Sequence, residues 1–221
     1  MKKKAKYILL TLLLAAILVL LLLTGWDIIS RILLPKHGTW HSNLQLYQWV
    51  ALGTVIFTIG KRFLKENLQW FETFTHELTH TIVSILLFRR IHSFEANNDN
   101  GLIMTSGNGK TLVFVDLAPY CLPIYTYGLL ACRAITTHQF LWCIDLVIGI
   151  SIAFHLHCFK KQIGNYQTDI KKRPLFFSYT YIAVSLVFNL CVIFVSFWST
   201  KNVFTAFWFV CEKTWEHTFS W

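Results

Sequence analysis

His76 and His80 stand four residues apart with a glutamate beside the first, in the run His76-Glu77-Leu78-Thr79-His80. On an α-helix, residues four apart lie on one face, one above the other, so both imidazoles can reach a single ion. The glutamate is then placed to act on a water held by that ion, which is the HExxH arrangement of zinc hydrolases. The flanking sequence is largely apolar. Ionisable side chains at membrane depth cost about 2.5–3.5 kcal/mol each and are functional by default. These residues predict a zinc site with His76 and His80 as metal ligands. Glu77 is the expected catalytic base, activating a zinc-bound water and then protonating the leaving amine.

A hydrolytic zinc site has three protein ligands and one open position. The third ligand must lie elsewhere in the chain, and the candidates are Asp116, Asp145, Asp169, His155 and His157. Asp116 opens the stretch to Pro123, where Pro119 and Pro123 are expected to kink a membrane helix and free backbone groups. Asp145 lies inside an apolar segment, where an unpaired carboxylate is expensive. Asp169 sits in Gln167-Thr168-Asp169-Ile170 among lysines, a setting that also suits a solvated loop carboxylate. Residue type and spacing leave the choice open.

The elements that must position these groups are apolar. Of 221 residues 55% are hydrophobic and only 14% charged, against about a quarter charged in a soluble domain. Six segments approach or reach the length of a membrane helix: 7–25, 45–60, 68–88, 112–132, 139–159 and 175–198. The first follows Lys2 to Lys6 and reads as a retained anchor, since no small-x-small cleavage site follows it. The fold class expected is an all-α polytopic membrane protein of about six transmembrane helices. It forms one domain over 1–221: two N-terminal helices in 1–60, a core over 68–198, and an interfacial, Trp-rich tail over 200–221. The net charge of +9 comes in short clusters between apolar runs, which suits headgroup anchoring and excludes a nucleic-acid-binding stripe. With six crossings, lysines and arginines divide ten to ten between the two sides, so charge does not orient the chain. The six cysteines show no CxxC and read as small buried hydrophobes.

One stretch departs from helical patterning. Asn100-Gly101 is a turn signal between two short partly apolar runs, and predicts a β-hairpin with strands near 91–96 and 101–106. A hairpin directly after the His76 helix offers an edge to which an extended peptide adds by main-chain hydrogen bonds.

The HELTH run, this hairpin, and Leu117-Ala118-Pro119-Tyr120 with Pro123 resemble a branch of the site-2-protease-like membrane metallopeptidases. Phe154-His155, Gln167-Thr168-Asp169-Ile170 and Phe176-Phe177-Ser178 are similar to the distal part of that branch, so the resemblance covers roughly 68–190. It implies intramembrane zinc proteolysis, with two histidines and a distal aspartate on the metal. On that pattern the aspartate falls on Asp169, with His155 behind the ligands or as an alternative to it. Better-known members carry the aspartate before a glycine, and this chain has no Asp-Gly. The implied partners are a membrane protein or peptide substrate and the lipid bilayer, in a plasma (inner) membrane crossed several times. Two other functions suit the same residues: an inactive membrane scaffold or chaperone, and a metal or proton transporter.

Overall fold

The computed structural model describes residues 2–33, 40–97, 101–105, 112–164, 166–198 and 203–219. Among them the order is α1 (Lys2–Leu33), α2 (Trp40–Gly60), α3 (Lys65–Leu86), β1 (Ile91–Ala96), β2 (Gly101–Thr105), α4 (Val113–Cys121), α5 (Ile124–Ile135), α6 (Leu141–Gln162), α7 (Thr168–Lys171), α8 (Leu175–Trp198) and α9 (Val203–Phe219). A 3-10 turn, His138–Phe140, leads into α6. The chain is mostly helical, as its composition requires, with one small antiparallel hairpin.

Helices α1, α6 and α8 are long and apolar enough to cross a bilayer, which makes this an integral membrane protein. The pair α4 and α5 makes a fourth candidate span, bent by 74° at its break. That is fewer than the six segments counted in the sequence. The second segment is apolar only over Tyr47–Gly60, and the third forms α3, which is not among the candidate spans. Glu72, His76, Glu77 and His80 lie within that helix and lower its hydropathy.

Aromatic contacts fix which helix ends meet. Tyr7 lies 5.1 Å from Phe177, so α1 and α8 start together. Trp49 is 5.4 Å from Trp142 and Phe57 is 5.9 Å from His157, so α2 and α6 run parallel and end together. Tyr47 meets Phe197 at 6.1 Å where α8 ends. Helix α3 follows α2 directly, and its Phe71 and Glu72 pack on Phe154 and His157 near the close of α6.

Two glycines let α2 and α6 approach. A Cβ on Gly53 would come within 3.0 Å of the Ile150 nitrogen, and one on Gly149 within 2.9 Å of Val50 Cα. Small residues at such a crossing are how membrane helices gain contact without a hydrophobic driving force. The α4–α5 break follows from Pro123, which cannot donate a helical hydrogen bond. Asn189 of α8 compensates by donating to the Cys121 carbonyl at 3.0 Å, and it also accepts from Tyr127.

Leu21 and Ile28 of α1 pack with Val192 and Val195 of α8 and with Ala206 and Val210 of α9. The stretch expected to be an interfacial tail therefore contributes a helix to the bundle, while Trp208 and Trp215 on its other face are exposed. Trp221 lies outside the described residues.

The hairpin has the strands expected, Ile91–Ala96 and Gly101–Thr105, with Ala96 opposite Gly101 and a bulge at His92. The predicted turn residue Asn100 lies outside the described residues. Helix α3 reaches the hairpin through a Schellman ending: Arg89 N–H donates to the Ser84 carbonyl and Phe88 N–H to that of Ile85, each at 2.9 Å. The left-handed position is held by Phe88, at φ 55°, where glycine is usual.

Candidate metal centre

Helix α3 presents His76, Glu77 and His80 to one side, all three buried. The helix tolerates so many polar groups because its threonines satisfy themselves along it. Thr75 donates to the Phe71 carbonyl, Thr79 to that of Thr75 and Thr81 to that of Glu77.

Asp169 arrives from the turn α7, in the connection between α6 and α8. His80 Nε2 lies 3.2 Å from His76 Nε2 and 3.2 Å from Asp169 Oδ2, and His76 Nε2 lies 3.7 Å from the same oxygen. Among the described residues this is the group of three His, Cys, Asp or Glu side chains able to hold a metal ion. A tetrahedral zinc about 2.05 Å from each ligand needs ligand–ligand separations of about 3.3 Å. The three observed edges bracket that value.

Each of these side chains is oriented from behind. His80 Nδ1 is 2.7 Å from the Val115 carbonyl oxygen, which only accepts, so Nδ1 carries the proton. Gln162 donates its Nε2–H to the Glu72 carbonyl, which turns Oε1 to accept from His76 Nδ1 at 3.1 Å. Both Nε2 atoms are then left as lone-pair acceptors facing each other and a carboxylate oxygen. Three acceptors this close repel unless a cation lies among them. The residues fit a zinc ion by donor type, spacing and outer hydrogen bonds.

The other oxygen of Asp169, Oδ1, accepts from Lys172 Nζ at 2.8 Å. Burial pushes the Asp169 carboxyl pKa up, and the Lys172 ammonium beside Oδ1 pulls it down. For Lys172, burial lowers the pKa, and pairing with Asp116 and Asp169 more than offsets this, leaving it raised.

Glu77 lines a cavity of about 450 Å³ shared with His76, His80, Asp169 and residues Gly101 to Ile103 of β2. Its carboxylate packs against the Cα of Gly101, so tightly that a Cβ there would come within 2.7 Å of Glu77 Cδ. Strand β2 thus borders the space beside the candidate base.

The remaining sequence candidates lie elsewhere. Asp145 pairs with Arg133 at 2.6 Å near the opposite end of the bundle. Asp116 pairs with Lys172 and Arg173, each at 2.8 Å, and is not in the metal group. His155 Nε2 is buried without a hydrogen-bond partner and faces a separate small space lined by Thr75, Thr126 and Ser151. His157 binds Glu72 at 2.9 Å. Asp169 reaches the histidines because α3 starts where α2 ends and packs on the last turns of α6, the helix that leads to α7. Gln162 and Lys172 were not singled out from the sequence, and Gly101 was read only as part of a turn, not as a neighbour of Glu77. The signals for them were faint: an amide in the last turn of an apolar helix, a lysine three residues after Asp169, and a glycine at a strand start.

A family model described as Peptidase M50B-like matches residues 49–164, just over half of the chain. The match contains the HELTH run and ends at Gly164, before Asp169. No curated protein and no solved structure matches the chain.

Proposed function

The chain belongs to the Peptidase M50B-like family, a site-2-protease-like group of membrane metallopeptidases, and from that premise we propose that it is an intramembrane zinc metallopeptidase. It cleaves peptide bonds within or next to the membrane, with His76, His80 and Asp169 holding zinc and Glu77 as the catalytic base. The observation that carries the reading is the convergence of His76 Nε2, His80 Nε2 and Asp169 Oδ2 within 3.7 Å of one another, beside the Glu77 carboxylate. When bound, zinc supplies Lewis acidity toward a carbonyl and lowers the pKa of water. Glu77 takes the proton of the attacking water and later delivers it to the leaving nitrogen. Gln162 and the Val115 carbonyl keep the two imidazoles in the tautomer that turns Nε2 inward. The open edge of the hairpin receives an extended substrate segment by strand addition, next to Glu77.

The chain crosses the membrane several times, in a plasma (inner) membrane. The site lies at the bundle end that gathers Lys4, Lys6, Lys61, Arg62, Arg89, Arg90, Lys160, Lys161, Lys171, Lys172 and Arg173, whereas Arg133 sits at the other. Helix α3 is not among the candidate spans, and we count it as no crossing. Taking the shorter apolar helix α2 as a crossing beside the four candidate spans gives five, and the lysines and arginines then no longer divide evenly. The positive-inside rule then places the site toward the cytoplasm.

The test is a pair of variants in the purified full chain with a helical membrane substrate. Glu77→Gln abolishes cleavage and retains one zinc; His80→Ala loses both. Full cleavage by Glu77→Gln overturns the assignment, and a zinc-free parent protein favours the scaffold reading.

A further inference from the structure

We propose that Asp116 is a positioning residue that latches the ligand-bearing connection between α6 and α8 and, by sharing Lys172, sets the orientation of Asp169. The inference rests on the reading of His76, His80 and Asp169 as a metal site. Asp116 lies in the first turn of α4 and is 2% exposed. A carboxylate so buried is tolerated only with charge partners. Both partners come from the connection that carries Asp169: Lys172 Nζ is 2.8 Å from Asp116 Oδ1, and Arg173 Nη1 is 2.8 Å from Asp116 Oδ2.

Lys172 is also 2.8 Å from Asp169 Oδ1, so one ammonium is divided equally between two carboxylates. The division matters for Asp169. With Asp116 present, Lys172 occupies Oδ1 and leaves Oδ2 to face His76 and His80 at 3.7 and 3.2 Å. Without it, Lys172 loses the buried partner that holds it. It then pairs with Asp169 alone, and Arg173 is released from α4. The preceding residue, Val115, holds His80 through its carbonyl. One turn of α4 therefore orients two of the three candidate ligands.

The experiment compares zinc affinity by chelator competition in the full chain and in Asp116→Asn, Lys172→Met, their double variant and Asp116→Glu. It is joined to hydrogen exchange of residues 163–174 in the metal-free proteins. Loss of an outer orienting group typically costs about 10–100-fold in metal affinity. Asp116→Asn is expected to bind zinc at least about tenfold more weakly, and Asp116→Glu to recover part of the loss. Because Asp116 acts through Lys172, the double variant is expected to bind within about threefold of Lys172→Met alone. In metal-free Asp116→Asn, exchange across 163–174 rises about tenfold while α3 is unchanged. Parent-like affinity and exchange in Asp116→Asn, or a double variant weakened by the product of the single effects, overturns the proposal. A parent protein that binds no zinc refutes the metal reading, and the exchange comparison then decides the latch by itself.

Discussion

Replacing Gly101 with alanine isolates the seat of the candidate base from the metal. A methyl group at this position comes within 2.5 Å of Glu77 Cγ and 2.7 Å of Cδ, against an optimal carbon–carbon separation of about 3.5–4.0 Å. Relief requires a displacement of about 1 Å, and the side chain yields more readily than the paired strands. A shift of about 1 Å in a reacting group costs about 100-fold in rate. The three atoms nearest the added methyl all belong to Glu77, so zinc affinity is expected to stay within about twofold and kcat to fall about 100-fold. The assay is single-turnover cleavage of a membrane substrate, with zinc content measured on the same preparation. Cleavage at the parent rate would refute the inference that β2 fixes the base. Loss of zinc with retained fold would show that the hairpin supports the metal site instead.

Gln162→Leu removes the acceptor on His76 Nδ1 and is expected to weaken zinc binding about 10–100-fold, read by chelator competition. Gly149→Ala places a methyl against the α2 backbone and is expected to destabilise by about 1–3 kcal/mol, measured by unfolding in detergent. Phe88→Gly relieves a left-handed residue that is 98% exposed. Stability is expected to rise by about 1 kcal/mol, since little packing is lost.

Legibility in the sequence followed how local each signal was. The hairpin strands emerged from a turn dipeptide between short apolar runs, and His76, Glu77 and His80 from one helical repeat, both local patterns. Asp169 was different. Its neighbours suited a solvated loop, and only the resemblance of Gln167-Thr168-Asp169 favoured it over Asp116 or Asp145. What decides among these carboxylates is which cation each one meets. Asp145 meets Arg133 twelve residues earlier, and Asp116 meets Lys172 and Arg173 more than fifty residues later. Helix α3 entered the count of apolar segments because its apolar residues hide how many polar groups face the site, and it is not among the candidate spans. The last helix carries exposed tryptophans on one face and packs the other on α1 and α8, a contact that no local pattern in the sequence signals.

The central claim is tested most directly by X-ray absorption at the zinc edge on the purified chain loaded with one equivalent of zinc. The expected shell is nitrogen and oxygen alone at about 2.0–2.1 Å, with scattering from two imidazoles. A sulfur shell at about 2.3 Å, or failure to retain stoichiometric zinc, would contradict a site built from His76, His80 and Asp169.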